Sequence, residues 1–239
     1  MLRAPRCSKA PPANEVRHAL RTAIAVAVPR KYVVLLALSL GVVAADQLVK
    51  YRLLGELTSA FDAHDTLSGR LGVFLSEAPA PGFDGQHFRY KKSVTLIEDH
   101  LKLRYAENPG AAFGLFRKLP EQYRAPLFHL VSLGAVVLIA WYFRQLRGVP
   151  DEKWAYFGLP LVLGGAVGNY IDRIARGFVI DFLEAHWKHD PNLTWPSFNV
   201  ADSAIVVGVG MLMVDALVRK ETKTPAPAAP VHEGASAKS

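Results

Sequence analysis

The sequence has a single cysteine, Cys7, among its 239 residues. One cysteine cannot form an intrachain disulfide and cannot build a thiolate metal cluster. The chain also has no G-x-S-x-G turn for a serine nucleophile and no H-E-x-x-H pair for zinc. His186, His189 and Asp190 stay open as a minor alternative set of metal ligands. Carboxylates are therefore the main candidates for hydrolytic chemistry.

The charge balance is positive, with 28 Lys and Arg against 21 Asp and Glu. A basic chain could bind nucleic acid, but these basic residues flank apolar runs instead of forming one groove. Anchoring and orientation in a membrane explain that pattern better. We therefore predict membrane lipid as a partner and no nucleic acid.

Four apolar runs approach the roughly 20 residues that a helix needs to cross a hydrocarbon core of about 30 Å. The third carries Gly164 and Gly168 at a spacing that lets helices approach closely in lipid. The predicted fold class is an all-α membrane protein of four transmembrane helices with a small extracytoplasmic β-rich or irregular cap. The runs are Tyr32 to Ala45 (extending to Lys50), Ala125 to Phe143, Trp154 to Ile171 and Val200 to Val218.

Short basic flanks stay cytoplasmic, so both termini are predicted inside and two long segments outside. Residues 1–30 are interpreted as a basic tail, 31–219 as the membrane domain and 220–239 as a disordered tail. Residues 58–86 are rich in Gly, Pro, Asp and Ser and are predicted to be an irregular, solvated insertion. Weak alternation before Tyr105 predicts short strands. A cleaved signal peptide remains an alternative interpretation of the first run.

Several polar residues lie at the predicted ends of these runs, where burying charge in hydrocarbon is costly. Asp46 and Lys50 are four positions apart and share a helix face, which predicts an ion pair at the outer interface. Asn108 and Gly110 belong to a turn, and the Asn108 amide could bind a peptide backbone because it both donates and accepts hydrogen bonds.

Asn169, Asp172 and Arg173 end the third run. The simpler interpretation is a snorkelling arginine with its counter-ion. An amide, an acid and an arginine at one helix end favour a functional site over that interpretation.

Two aspartates flank the start of the last run. Asp181 stands alone in an apolar stretch, and Asp202 follows Asn199 by three positions, which also predicts a helix N-cap and its partner. Two facing aspartates cannot both ionise easily, so they share a proton near neutral pH. The ionised member can take a proton from water while the neutral member polarises a carbonyl. That is general acid–base hydrolysis of an amide without a covalent intermediate.

Taken together, these motifs resemble the bacterial lipoprotein signal peptidases, also called signal peptidase II, which are membrane aspartic proteases. The resemblance covers about residues 31–219, and the motifs stand in the family's order. They are DQLVK at 46–50, NPGAAF at 108–113, GNYIDR at 168–173, VIDF at 179–182 and FNVAD at 198–202.

The resemblance implies a substrate, a location and a set of site residues. The substrate is a diacylglyceryl-modified prolipoprotein, cut on the amino side of the lipidated cysteine at the outer face of the bacterial cytoplasmic membrane. The enzyme is expected to act as a monomer, without metal or cofactor. Asp181 and Asp202 match the catalytic pair. Gly110, which has no side chain, is expected to make room for a backbone or acyl chain. The residues that match site-lining or supporting positions are Asn108, Asn169, Arg173, Asn199, Ala201, Asp46, Lys50 and Asp172.

Two other classes of protein remain open at this point. A small transporter or proton-relay protein would use intramembrane acids, but it predicts them near mid-span. A structural subunit would leave Asp181 and Asp202 unexplained. Asp215, four residues before Arg219, is interpreted as part of a surface ion pair.

Overall fold

A computed structural model describes residues 29–76, 88, 90–110, 116, 119–148, 150–187 and 194–218. The predicted tails lie almost wholly outside these residues, as do Cys7, His189 and Asp190. The described residues form a 3-10 helix (Pro150–Glu152) and five α-helices: α1 (Arg30–Leu57), α2 (Leu67–Ser76), α3 (Glu121–Gln145), α4 (Lys153–Arg176) and α5 (Val200–Val218). Three strands accompany them: β1 (Val94–Ile97), β2 (Leu101–Asn108) and β3 (Val179–Ala185).

Among the described residues, three helices are long and apolar enough to cross a membrane, namely α1, α3 and α5. Their outward faces are apolar: Leu40, Leu130 and Leu217 are 63%, 71% and 83% exposed. Exposed apolar surface of this extent is favourable in contact with lipid and unfavourable in contact with water. A mostly helical membrane protein is therefore confirmed.

Helix α4 lies at the centre of the bundle, and its small residues allow that position. A Cβ added at Gly164 would come 2.8 Å from the Ser39 carbonyl oxygen of α1, and one at Gly168 would come 3.0 Å from Asp46 Oδ2. The prediction that these glycines permit close helix packing is thus confirmed. Because α4 faces protein on several sides, it needs fewer apolar residues than a helix surrounded by lipid.

The strands form one antiparallel sheet in the order β1-β2-β3. The β1–β2 hairpin confirms the strands predicted before Tyr105, whereas β3 was not predicted. The Lys91 backbone N–H donates to the Leu57 carbonyl at 2.8 Å, which places the sheet against the carboxyl end of α1. We call this end of the bundle, where α1 and α4 finish and α5 begins, the sheet end.

The prediction of an irregular, solvated insertion at 58–86 is wrong for part of its length. Leu67–Ser76 is a helix, and its Val73 and Phe74 are buried in a cluster with Leu54 and Leu57 of α1. The glycine and serine content indicated a loop, but this segment is helical and its apolar residues cover the end of α1. Residues 77–87 lie outside the part that the structure describes.

At the opposite end, Lys31 Nζ donates to the carbonyl oxygens of Arg144 and Leu146 at 3.0 and 2.8 Å. These bonds join the start of α1 to the end of α3, whose last carbonyls need donors. The interpretation of Asp215 as a surface residue is wrong, because it is 3% exposed. Its Oδ1 accepts the Ala155 N–H at 3.3 Å, and Arg219 lies outside the described residues.

Candidate active site

A tight turn at the sheet end places Asp181 beside the helices. Helix α4 ends at Arg176 and is capped by Gly177, whose φ of +79° is a left-handed conformation that glycine adopts without a Cβ clash. Strand β3 follows two residues later, and Asp181 lies opposite Ala106 of β2. The Asp181 side chain is buried, with 2% of the residue exposed.

The other edge of β3 brings the start of α5 to the same place. Leu183 and Phe198 exchange backbone hydrogen bonds of 2.8 and 2.9 Å. Asn199 therefore enters the site as the residue before α5. Its Oδ1 accepts the Asp202 N–H at 2.9 Å, and its own N–H donates to Asp202 Oδ2 at 3.2 Å. This reciprocal pair confirms the predicted N-cap.

Asn199 also contacts the second acid, because its Nδ2 donates to Asp181 Oδ1 at 2.8 Å. One fully buried residue thus bonds to both carboxyl groups, to that of Asp181 through its side-chain amide and to that of Asp202 through its backbone N–H. Each aspartate has a further amide donor: Asn108 Nδ2 lies 3.1 Å from Asp181 Oδ2, and Asn169 Nδ2 lies 2.7 Å from Asp202 Oδ1. The two predicted acids and their three predicted amides therefore form one cluster.

Burial raises the pKa of Asp181 from 3.8 to about 7, and the nearby charge of Asp202 acts in the same direction. Hydrogen bonds from Asn108 and Asn199 and the charge of Lys50 oppose this rise. A carboxyl group with such a pKa carries a proton for part of the time at neutral pH. That property suits one member of a pair that shares a proton.

Arg173 closes the side of the cluster that faces the turn after β2. Its Nη2 donates to the Gly110 carbonyl at 3.1 Å, and its Nη1 donates to the Asn169 carbonyl at 3.2 Å. The guanidinium lies 4.5 Å from the centre of the Phe128 ring of α3. Gly110 N donates to Asn108 Oδ1 at 3.0 Å, so the turn and its amide are held together. Residues 111–113 of this motif lie outside the described part of the chain.

A buried charge network supports the cluster from α1. Lys50 Nζ lies 2.7 Å from both Asp46 Oδ2 and Asp172 Oδ2, and all three side chains are fully buried. The predicted Asp46–Lys50 contact is confirmed, but the pair does not close the helix, because α1 continues to Leu57. Asp46 Oδ1 accepts the Ala201 N–H at 3.0 Å, so the first helix supplies an acceptor to the start of the last.

The simpler interpretation, in which Asp172 is the counter-ion of Arg173, is wrong. Asp172 pairs with Lys50 and with Arg176, one turn further along α4. Arg176 and Gln47 were both missed. Gln47 Nε2 donates to Asp172 Oδ1 at 2.8 Å and to Asp46 Oδ2 at 3.1 Å. The spacing of Asp172 and Arg176, four positions as in Asp46 and Lys50, is the signal that could have identified the arginine.

Comparison with known proteins gives the same family for most of the chain. The profile of signal peptidase (SPase) II matches residues 38–218. A lipoprotein signal peptidase of Anaeromyxobacter sp. (strain Fw109-5) is 42% identical over 186 residues, which cover 77% of this chain and 84% of the relative. One from Syntrophotalea carbinolica is 46% identical over 123 residues, or 52% of this chain and 72% of that protein.

Solved structures agree on the fold. A bacterial membrane enzyme determined by the in meso method at 2.3 Å resolution superposes with a TM-score of 0.53 and 21% identity, covering 82% of this chain and 94% of that one. At this identity the likeness concerns the fold alone. The family profile matches well over half of the residues. The chain belongs to the signal peptidase II family.

Proposed function

We propose that Asp181 and Asp202 are the catalytic pair with which this protease removes signal peptides from prolipoproteins. The observation that carries the proposal is Asn199, whose buried amide and backbone contact both carboxyl groups. A buried residue that bonds to both carboxyl groups fixes their relative position. The raised pKa of Asp181 supports the same assignment, since Asp202 is one of its causes.

The proposed reaction uses one water and one shared proton. The ionised aspartate takes a proton from water while the water oxygen bonds to the scissile carbonyl carbon. The protonated aspartate gives its proton to the carbonyl oxygen, and a neutral tetrahedral intermediate results. The carbon–nitrogen bond then breaks, the leaving nitrogen takes the proton held by the first aspartate, and a hydroxyl proton returns to the second.

The surrounding residues have distinct proposed roles. Asn108 and Asn169 orient Asp181 and Asp202 through the hydrogen bonds described above. Arg173 holds the Gly110 carbonyl and so fixes the turn that the substrate backbone meets. Asp46, Lys50 and Asp172 position the ends of α1 and α4, and Ala201 presents the N–H that binds Asp46.

We further propose that α4 is a fourth membrane span and that the sheet end faces the outside of the bacterial cytoplasmic membrane. Lys31 and Arg144 lie together at the opposite end, next to Arg147 and Lys153, and short basic flanks stay cytoplasmic. In this arrangement the substrate reaches Asp181 and Asp202 laterally, from the lipid. The enzyme acts as a monomer and cuts on the amino side of a diacylglyceryl-modified cysteine. A transporter or a structural subunit does not fit a family of peptidases.

The test is cleavage of a diacylglyceryl-modified prolipoprotein by purified enzyme in detergent. Asp181→Asn and Asp202→Asn should each lower kcat by at least about 100-fold, because acid–base groups contribute roughly 10²–10⁴. Asp65→Asn is the matched control, since this aspartate is exposed in the segment between α1 and α2. If either dyad variant keeps most of the wild-type kcat, or if unlipidated substrate is cut equally fast, the proposal is wrong.

A further inference from the structure

Arg176 joins the short helix α2 to the end of α4. It is 2% exposed, in the last turn of α4. Its Nη1 donates to the Phe74 carbonyl of α2 at 2.5 Å, and its guanidinium lies 4.4 Å from the centre of the Phe74 ring. Its Nη2 pairs with Asp172 Oδ1. One cation thus contacts a carbonyl and a ring on α2 and a carboxylate on α4.

Asp172 extends this connection to the strand that carries Asp181. Its Oδ2 accepts the Ile180 N–H at 3.2 Å, and Ile180 directly precedes Asp181. A carboxylate with a cation on Oδ1 and a backbone donor on Oδ2 is constrained in rotation about its last bond. The position of Arg176 therefore bears on the backbone next to Asp181.

Helix α2 is packed firmly enough to serve as the fixed end of this connection. Phe74 is 4% exposed, and its ring meets the Tyr51 ring of α1 edge-on at 5.4 Å. The same cluster contains Tyr105 of β2 and Ile180 of β3. The other face of α2 is different, because it exposes apolar side chains. They are Leu67, Leu71 and Leu75, which are 66%, 40% and 50% exposed.

We propose that Arg176 is a positioning residue that holds α2 and the catalytic strand β3 in a fixed relation through Asp172. This inference rests on the proposed function of Asp181. It assigns the insertion a part in the rate of cleavage, although α2 supplies no group that reacts. Arginine suits the task because its planar fork bonds two acceptors while its face lies on a ring.

The experiment is a double-mutant cycle on the full chain in detergent, with kcat and KM measured separately on lipidated prolipoprotein and referred to the folded fraction. Arg176→Lys keeps the charge for Asp172 but loses the planar fork, and Phe74→Leu keeps an apolar side chain but loses the ring. We expect kcat to fall about tenfold and threefold respectively, with KM within about twofold. The double variant should have the kcat of Arg176→Lys, because both changes break one connection.

Two controls match these variants. Arg52→Lys changes an exposed arginine of α1, and Leu71→Ala changes the exposed face of α2; both should keep the wild-type kcat. Full kcat in Arg176→Lys, or multiplicative losses in the double variant, would overturn the inference. Asp181→Asn is measured alongside: if it stays active the proposed function fails, whereas an inactive Asp181→Asn with unaffected Arg176→Lys refutes only the role of Arg176.

Discussion

The two ends of the helix bundle bury their charged groups in different arrangements. At the sheet end, the helices meet through buried charges and amides, such as Lys50 between Asp46 and Asp172. Towards the opposite end, the buried acid Asp215 bonds to a backbone N–H, that of Ala155. There α4 and α5 also approach closely, since an added Cβ at Gly208 would come 2.7 Å from the Gly158 carbonyl oxygen. Polar groups buried in this way are costly unless each is satisfied, whereas small-residue contacts need only shape. We therefore expect the sheet end to combine stability with the proposed chemistry, and the opposite end to affect stability without affecting kcat.

The largest effect that separates the two ends should come from Lys50→Met. The variant leaves Asp46 and Asp172 buried without their shared cation. Breaking such a buried arrangement costs about 3–5 kcal/mol of unfolding free energy. Thermal unfolding in detergent should show a large loss of Tm, and kcat should fall with it. Wild-type Tm in this variant would mean that the network is not what joins α1 to α4.

The second effect concerns the pH dependence of stability. The Asp181 pKa is raised to about 7 in the folded state against 3.8 when unfolded, first by burial and then by Asp202. Folding then takes up a proton between these values, so stability falls as pH rises from about 4 to about 7. Asp181→Asn cannot ionise and should escape this loss.

The difference in unfolding free energy between Asp181→Asn and wild type should therefore grow by about 2 kcal/mol from about pH 5 to about pH 8. Tm measured at several pH values tests this. The change with pH is the quantity to compare, because the substitution also alters the hydrogen bonds with Asn108 and Asn199. The other charged groups that act on Asp181 are Asp202 and Lys50. A difference that is constant with pH would contradict the raised pKa.

A third, smaller effect tests the opposite end. Gly208→Ala introduces a Cβ against the Gly158 carbonyl and Val162, which should cost about 1–2 kcal/mol through overpacking. The kcat of the folded fraction should be unchanged, since the added Cβ meets Gly158 and Val162 and none of the residues of the acid cluster. Gly210→Ala is the matched control, because nothing lies within 4 Å of its added Cβ. Equal Tm values for the two variants would show that the close crossing is unimportant.

The smallest effect is expected for Asp215→Asn. An asparagine oxygen can still accept the Ala155 N–H, so the change should cost less than about 1 kcal/mol. Its kcat should equal that of the wild type. A loss of activity at unchanged Tm would give this buried acid a role in the reaction and would weaken the contrast between the two ends.

The long helices could be predicted from the sequence more completely than the contacts at the sheet end. Apolar runs identify the long helices because lipid imposes one simple rule along their whole length. Asp181 and Asp202 were predicted as a pair from their motifs, but no pattern predicts that Phe198 bonds to Leu183 and so brings them together. Strand β3 was missed because it is buried on nearly every residue and lacks the alternation of a half-exposed strand.

Helix α2 and Arg176 were missed for a related reason. Leu67–Ser76 contains two glycines and two serines, which indicate a loop when the surface it packs against is unknown. In the sequence alone, Arg176 is a basic residue at a helix end, where arginine is ordinary. Its proposed role depends on a contact with Phe74, which lies 102 residues away in the sequence. That contact cannot be predicted from a single sequence whose fold is unknown.

The hydrogen bond from the Ala201 N–H to Asp46 has a consequence for how the protein is made. The acceptor belongs to the first helix that the structure describes, and the donor belongs to the last, 155 residues later. A chain still on the ribosome places Asp46 in the membrane well before Ala201 exists. Asp181 is also synthesised before Asp202. The proposed site can therefore assemble only after α5 has been synthesised, and we expect a chain truncated before α5 to lack cleavage activity.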